Sequence, residues 1–102
     1  MQLNQDSLDR VATINNENVV SRELEGEAVI LNLESGVYFG LNAVGTRIWA
    51  LIQEHGSLRR VLEVMQQEYD VAPRDLENDL LQLIEQLQSR GLVNLSQPDE
   101  RK

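Results

Sequence analysis

The spacing of apolar residues changes once along this chain, near Leu41, and that change constrains the fold more than any other feature. Before Leu41, short runs of β-branched and aromatic residues are separated by glycine-containing turn signals, a pattern typical of strands. After Leu41, apolar residues recur every three or four positions, a pattern typical of amphipathic helices. The sequence therefore predicts an α+β fold in which strands come first and helices follow.

Three strands are predicted in the first part. The runs 19–24 and 27–33 are separated by Glu25-Gly26, and because the glycine readily adopts the positive φ of a tight turn, the two runs are expected to form a hairpin. A second turn signal at 34–36 precedes the run 37–39, which begins the third strand. The three strands form an antiparallel meander.

Three helices are predicted in the second part, each marked by residues that begin or end it. Asn42 caps the first helix, which ends at Gly56. Ser57 caps the second helix. Pro73 occupies the first position of the third and longest helix, and Gly91 follows its end.

The two ends of the chain are predicted to lie outside this domain. Residues 1–18 carry few bulky side chains and are interpreted as a loose lead-in with a short strand around 11–14. The domain itself spans 19–95 and closes with a short strand at 92–95. Residues 96–102 are expected to form a flexible tail.

The composition excludes much of catalytic and metal chemistry. The 102 residues include no cysteine and one histidine, which rules out disulfides, thiolate metal sites and thiol nucleophiles. His55 lies at the predicted C-terminal end of the first helix, where a structural role is expected. We expect no enzymatic activity, no cofactor and no metal site.

The balance of charge narrows the choice of partner. Nine basic and 17 acidic residues give a net charge of −8, which repels nucleic acids and anionic membranes and favours a monomer over an edge-strand dimer. The longest apolar run, 48–52, is far shorter than the roughly 20 residues of a membrane-spanning helix. No secretory signal is read at 1–10, so a cytoplasmic location is expected.

The apolar arc of the third helix is wider than a single contact requires. The predicted core stripe consists of four leucines that fall within about 60° on a helical wheel: Leu76, Leu80, Leu83 and Leu87. Ile84 and Leu81 lie at about 80° and 140° from Leu76, and Trp49 is similarly displaced in the first helix. Either these side chains contact other elements of the domain, or they line a groove that another chain fills.

The third predicted strand has no charged residue to protect its edge. An unguarded edge at 37–41 pairs readily with another strand, and a helix beside it would complete a slot for an extended peptide. The alternative is that the N-terminal segment covers this edge.

Residues 36–49 combine an aromatic strand, Leu-Asn, a glycine and Ile-Trp in the stretch GVYFGLNAVGTRIW. This motif resembles the PqqD family, the leader-peptide-binding proteins, or RiPP recognition elements, of ribosomally made peptide pathways. The resemblance continues through Gly56-Ser57 and 69–71 to 87–93, and covers about three quarters of the chain. It is most similar to the stand-alone members that accompany lasso peptide proteases.

The resemblance implies a winged helix-turn-helix topology, with a three-stranded antiparallel sheet followed by three helices. It also implies that a precursor leader binds as an added strand beside the third strand, in a cleft formed with the third helix. The residues expected at the cleft are Val37, Tyr38, Phe39, Gly40 and Leu41 on the strand and Leu76, Asp79, Leu80, Leu83, Ile84 and Leu87 on the helix, with Asp75 and Asp79 as acceptors for a basic leader residue.

The function implied is that of a non-catalytic adaptor that presents a precursor peptide to a modifying or leader-removing enzyme. In a lasso-type pathway, which is favoured, the partner is a leader-removing cysteine protease of transglutaminase type. The alternative is a chaperone of pyrroloquinoline quinone (PQQ) biosynthesis, whose partner is a radical SAM enzyme. A DNA-binding regulator is a further alternative for a winged-helix fold. A helix that reads DNA is expected to be basic, whereas the third helix has a net charge of 2 − 4 = −2. Its charged residues are Arg74, Arg90, Asp75, Glu77, Asp79 and Glu85.

Overall fold

A computed structural model describes residues 5–15 and 17–96 of the chain. The strands are β1 (Val11–Ile14), β2 (Val19–Leu24), β3 (Glu27–Asn32), β4 (Tyr38–Gly40) and β5 (Val93–Ser96), and the α-helices are α1 (Ala43–His55), α2 (Leu58–Glu68) and α3 (Pro73–Ser89). A short 3₁₀ helix spans Gln5–Asp9. The predicted fold class, a three-stranded antiparallel sheet followed by three helices, is confirmed. The predicted tail, apart from Ser96, lies outside the described residues.

The three-stranded sheet has the order β2-β3-β4, and all its pairs are antiparallel. A two-residue turn joins β2 to β3, with φ of 55° at Glu25 and 83° at Gly26. Positive φ at both positions gives a turn whose twist matches that of the flanking strands, which sets Leu24 opposite Glu27. The strand that follows the second turn, β4, lies on the other side of β3 as the meander predicts.

The N-terminal segment is an integral part of the fold, in contrast to the loose lead-in that its polar composition suggested. The predicted short strand is present as β1, and it pairs antiparallel with β5 in a second, two-stranded sheet. Leu8 and Ala12 are each only 2% exposed, because this segment covers part of the helical core. A few well-placed apolar residues are therefore enough to anchor a segment that is polar on average.

The predicted first residues and N-terminal caps of the three helices are confirmed. The Asn42 side chain accepts a hydrogen bond from the Gly45 N–H at 2.8 Å at the start of α1. The Ser57 hydroxyl accepts one from the Arg60 N–H at 3.3 Å at the start of α2. Pro73 is the first residue of α3. These local signals therefore set where each helix starts.

The core stripe of α3 differs from the predicted one. Leu81 is buried with the core leucines, whereas Leu83 is only partly buried. Trp49 is also buried, and its Nε1 donates a 3.4 Å hydrogen bond to the Ser21 hydroxyl on β2. Of the two explanations for the wide apolar arc, contact within the domain is therefore correct for Leu81 and Trp49.

In the described part of the chain, no helix is long and apolar enough to cross a membrane.

Candidate functional site

The strand β4 uses every second residue to pair with β3. The Val37 carbonyl accepts a hydrogen bond from β3 at 3.0 Å, and the Leu41 N–H donates one to β3 at 2.8 Å. Because hydrogen bonding alternates along an antiparallel pair, the backbone groups of Tyr38 and Gly40 point away from β3. These two residues carry the donors and acceptors of the outer edge.

This edge is open within the described residues. The only strand that pairs with β4 there is β3. The N-terminal strand β1, which was the alternative cover, pairs with β5 instead. The edge at Tyr38–Gly40 therefore offers a template for an additional strand.

A cleft of about 390 Å³ lies next to this edge. Three elements contribute its lining: Phe39, Gly40 and Leu41 from β4 and its end, Asn42, Val44, Gly45 and Ile48 from the start of α1, and Asp79, Leu83 and Gln86 from α3. The predicted slot between the third strand and the third helix is thus present, and its volume is in the range typical of ligand sites.

The start of α1 is held tightly against β3 and against Leu41, which follows β4. The Ala28 N–H donates a 2.8 Å hydrogen bond to the buried Thr46 hydroxyl, which in turn lies 3.5 Å from the Leu41 carbonyl. Gly45 permits the close approach, because a Cβ added there would lie 3.1 Å from Leu41 Cδ2. The Leu-Asn-x-x-Gly-Thr segment therefore fixes the floor of the cleft relative to the strand.

An aromatic contact fixes the other wall of the cleft. The Arg90 guanidinium lies over the Phe39 ring, 5.0 Å from its centroid. The Arg90 carbonyl accepts a 3.2 Å hydrogen bond from the Asn32 side chain, which ties the end of α3 to the sheet. Together these contacts hold Phe39, which is half-buried, at a defined position beside the cleft.

The structure separates the predicted α3 residues into two groups. Asp79 and Leu83 line the cleft. The other four are at most 5% exposed and pack into the core: Leu76, Leu80, Ile84 and Leu87. They support the cleft wall from behind rather than forming its surface. Asp75, in the first turn of α3, is exposed and is not among the lining residues.

Rotation of α3 about its axis accounts for this division. Because Leu81 is buried, the centre of the stripe moves toward Ile84, and Leu83 is left at the margin. On a helical wheel, Leu83, Asp79 and Gln86 then fall within about 60° of one another. This strip, one apolar residue between two polar ones, is the face that α3 presents to the cleft.

Sequence reasoning missed the contribution of α1. Val44 and Ile48 line the cleft together with Asn42 and Gly45, and none of the four was among the residues expected there. The signal was available: only two residues separate the end of β4 from the start of α1, so the first turn of α1 has to lie beside the end of that strand. Gln86 carried no comparable signal, because its position depends on the rotation of α3.

The arrangement offers binding groups rather than reactive ones. Apolar side chains of Phe39, Val44 and Leu83 are accompanied by one carboxylate, Asp79. In the part of the chain that the structure describes, no group of three or more His, Asp or Glu side chains is placed to hold a metal ion. A polypeptide segment with apolar side chains and a basic residue would match this lining.

Known proteins provide an independent test of the resemblance. The profile of the family described as coenzyme PQQ synthesis protein D (PqqD) matches residues 27–93. A solved structure described as TbiB1 in complex with the TbiA(beta) leader peptide is 35% identical, with a TM-score of 0.75, and the match covers 80% of this chain and 94% of that one. No curated protein sequence matches the chain. Since the profile covers more than half of its residues, the chain belongs to the PqqD family.

Proposed function

We propose that this protein is a non-catalytic adaptor that binds the leader segment of a ribosomally synthesised precursor peptide and presents it to a modifying or leader-removing enzyme. The observation that carries the proposal is the open, uncharged edge at Tyr38–Gly40 beside a cleft lined by both apolar and polar side chains. The likeness to TbiB1, a protein solved with a leader peptide, supports it.

The leader lies along β4 as an added strand. Its backbone exchanges hydrogen bonds with the outward-facing N–H and C=O groups of Tyr38 and Gly40. Because side chains alternate along a strand, every second leader residue then projects into the cleft between Phe39 and Leu83. The backbone contributes affinity with little regard to sequence, and the cleft selects which leaders fit.

The lining of the cleft determines the class of leader. Phe39, Val44, Ile48 and Leu83 favour a leader with bulky apolar side chains at alternate positions. Asp79 accepts a hydrogen bond from a basic leader residue, in the role that the sequence assigned to it. Leu80, Ile84 and Leu87 contribute indirectly, because they are buried behind this wall.

We assign the protein to a lasso-type pathway, on the resemblance of the 36–49 motif to the adaptors that accompany lasso peptide proteases. The partner is then a cysteine protease of transglutaminase type that removes the leader. The description of the family as a PQQ synthesis protein supports the second candidate, a chaperone that works with a radical SAM enzyme. The adaptor acts as a cytoplasmic monomer in either pathway.

The proposal is tested by titrating ¹⁵N-labelled protein with the leader of the precursor encoded beside its gene, using a scrambled leader as the control. We expect amide shifts concentrated at Tyr38, Gly40 and Leu83, and none with the scrambled peptide. The absence of any shift with the native leader would contradict the proposal. Salt-sensitive binding of duplex DNA without leader binding would favour the winged-helix regulator instead.

A further inference from the structure

The side of the three-stranded sheet that faces away from the core is unusually apolar. Its side chains, which we call the outer face, come from all three strands: Val20, Arg22 and Leu24 of β2, Glu27, Val29 and Leu31 of β3, and Tyr38 of β4. Tyr38 is 69% exposed, Leu24 62% and Val20 48%. The solvent side of an antiparallel sheet normally carries polar residues, so these side chains call for another explanation.

The register arranges the outer face in continuous rows across the sheet. Val20, Leu31 and Tyr38 are direct cross-strand neighbours, and Arg22 lies opposite Val29, which lies opposite Gly40. The first row therefore runs without interruption from β2 to Tyr38, at the edge at which the leader is proposed to bind, and the second reaches that edge at Gly40, which has no side chain. Side chains of a leader strand that do not enter the cleft would extend the same rows.

We propose that the outer face is the docking surface for the enzyme that acts on the leader-bound precursor, an inference that rests on the proposed function. A partner that docks here contacts the adaptor and the bound leader together, because the leader strand continues the rows that end at Tyr38 and Gly40. The surface is complete only when a leader is present. An empty adaptor therefore binds the enzyme more weakly than a loaded one.

Charge indicates the chemistry of the partner surface. Arg22 lies opposite Val29 and between Val20 and Leu24 on its own strand, and the other charged residue of the outer face is Glu27, opposite Leu24. Within the described residues, Arg22 takes part in none of the ion pairs. A partner that is apolar around one carboxylate would cover this face and neutralise Arg22. Arginine and tyrosine surrounded by aliphatic side chains are the composition typical of interface hot spots. A second copy of the chain is a poorer occupant, because each copy carries a net charge of −8.

The test uses the precursor and the leader-processing enzyme encoded beside the gene of this chain. Val20→Lys is compared with Val71→Lys, because the two valines are 48% and 46% exposed but Val71 lies outside the sheet, between α2 and α3. With the adaptor saturated by precursor, we expect Val20→Lys and Arg22→Glu to lower kcat/KM at least about tenfold, and Val71→Lys to change it less than twofold. The affinity for fluorescein-labelled leader, measured separately, should be unchanged in all three variants.

The remaining outcomes each overturn the inference in a distinguishable way. If the enzyme processes the precursor at the wild-type rate with Val20→Lys and with Arg22→Glu, and both variants bind the leader normally, the outer face is not the docking surface. The proposed function is unaffected by that result. Failure of the wild-type chain to bind the leader removes the proposed function and the inference together. Sedimentation that shows a wild-type dimer and a Val20→Lys monomer assigns the outer face to self-association instead.

Discussion

The two edges of the three-stranded sheet differ in ways that decide which of them can accept another strand. The outer edge of β2 is six residues long, and it includes Arg22 and Glu23. The outer edge of β4 is three residues long, carries no charge and lies beside the cleft. Charged residues protect an edge from pairing, because a strand that docks there has to desolvate them.

The backbone hydrogen-bonding groups do not distinguish the two edges. The Leu33 N–H donates to the Asn18 carbonyl at 2.6 Å, so the alternation along β2 leaves the N–H groups of Ser21 and Glu23 directed outward. Both edges therefore expose comparable backbone groups. What distinguishes β4 is the cleft next to it, which adds side-chain contacts to an otherwise unselective backbone interaction.

The largest effect is expected from a charge in the wall of the cleft. Leu83→Asp should weaken leader binding about 100-fold, because the complex would bury a carboxylate among apolar side chains. Gln88→Asp introduces the same carboxylate at an exposed position of the same helix and should change the affinity less than twofold. Isothermal titration calorimetry measures both. Equal losses of leader affinity in the two variants would show that α3 affects binding only through its net charge.

A second prediction compares how firmly the central strand β3 and the outer strand β2 are attached to α1. Thr46→Val removes the acceptor of the buried Ala28 N–H and should lower the free energy of unfolding by about 2 kcal/mol. Ser21→Ala removes the acceptor of the longer 3.4 Å bond from Trp49, and should cost less than about 1 kcal/mol. Urea unfolding measures both changes. A larger effect at Ser21 would place the stronger attachment on β2 rather than on β3.

The third prediction compares the two edges directly. Gly40→Pro deletes an N–H that points away from β3 and should weaken leader binding about tenfold, because the leader loses a backbone hydrogen bond. Glu23→Pro deletes the equivalent N–H on the edge of β2 and should leave the affinity unchanged. Both proteins should keep the wild-type circular dichroism spectrum. Weaker binding by Glu23→Pro alone would indicate that the leader pairs with the edge of β2 and not with the edge of β4.

Local signals in the sequence were sufficient for most of the fold. The hairpin at Glu25-Gly26, the caps Asn42 and Ser57 and the start of α3 at Pro73 all depend on interactions within a few residues, and all are confirmed. The role of the N-terminal segment was not predictable in this way. Its strand is stabilised by β5, which lies about 80 residues further along the chain.

The candidate site was predictable where it depends on strand alternation and less so where it depends on helix rotation. The edge at β4 follows from residues that are adjacent in sequence. The apolar arc of α3, in contrast, is so wide that the helix could rotate by tens of degrees and still bury apolar side chains. A wheel drawn from sequence placed Leu83 in the core stripe and Leu81 outside it, and the structure reverses the two. The decisive information is what packs against Leu81, which no local pattern contains.

A smaller effect is expected from the carboxylate in the cleft. Asp79→Asn should weaken binding of a leader with a basic residue about three- to fivefold, since a partly exposed ion pair contributes little in water. Asp75→Asn, at an exposed position outside the lining, should change the affinity less than twofold. The difference should shrink as salt is raised, because salt screens the pair. A salt-independent loss would indicate that Asp79 acts through packing rather than charge.

The smallest effect is expected far from either edge, at the ion pair between Arg47 of α1 and Glu68 of α2, in which Arg47 Nε lies 2.8 Å from Glu68 Oε1. The hydrogen bond from Arg47 holds the pKa of Glu68 below its usual value of 4.5, so the pair stabilises the fold above that value and stops doing so as the pH falls through the lowered pKa. Glu68→Gln should therefore lower Tm slightly at pH 7, and the difference should vanish in acid. Leader affinity should not change, because neither residue lines the cleft. A change in affinity would mean that the stability of the α1–α2 contact, and not the chemistry of the β4 edge alone, sets how well the leader is bound.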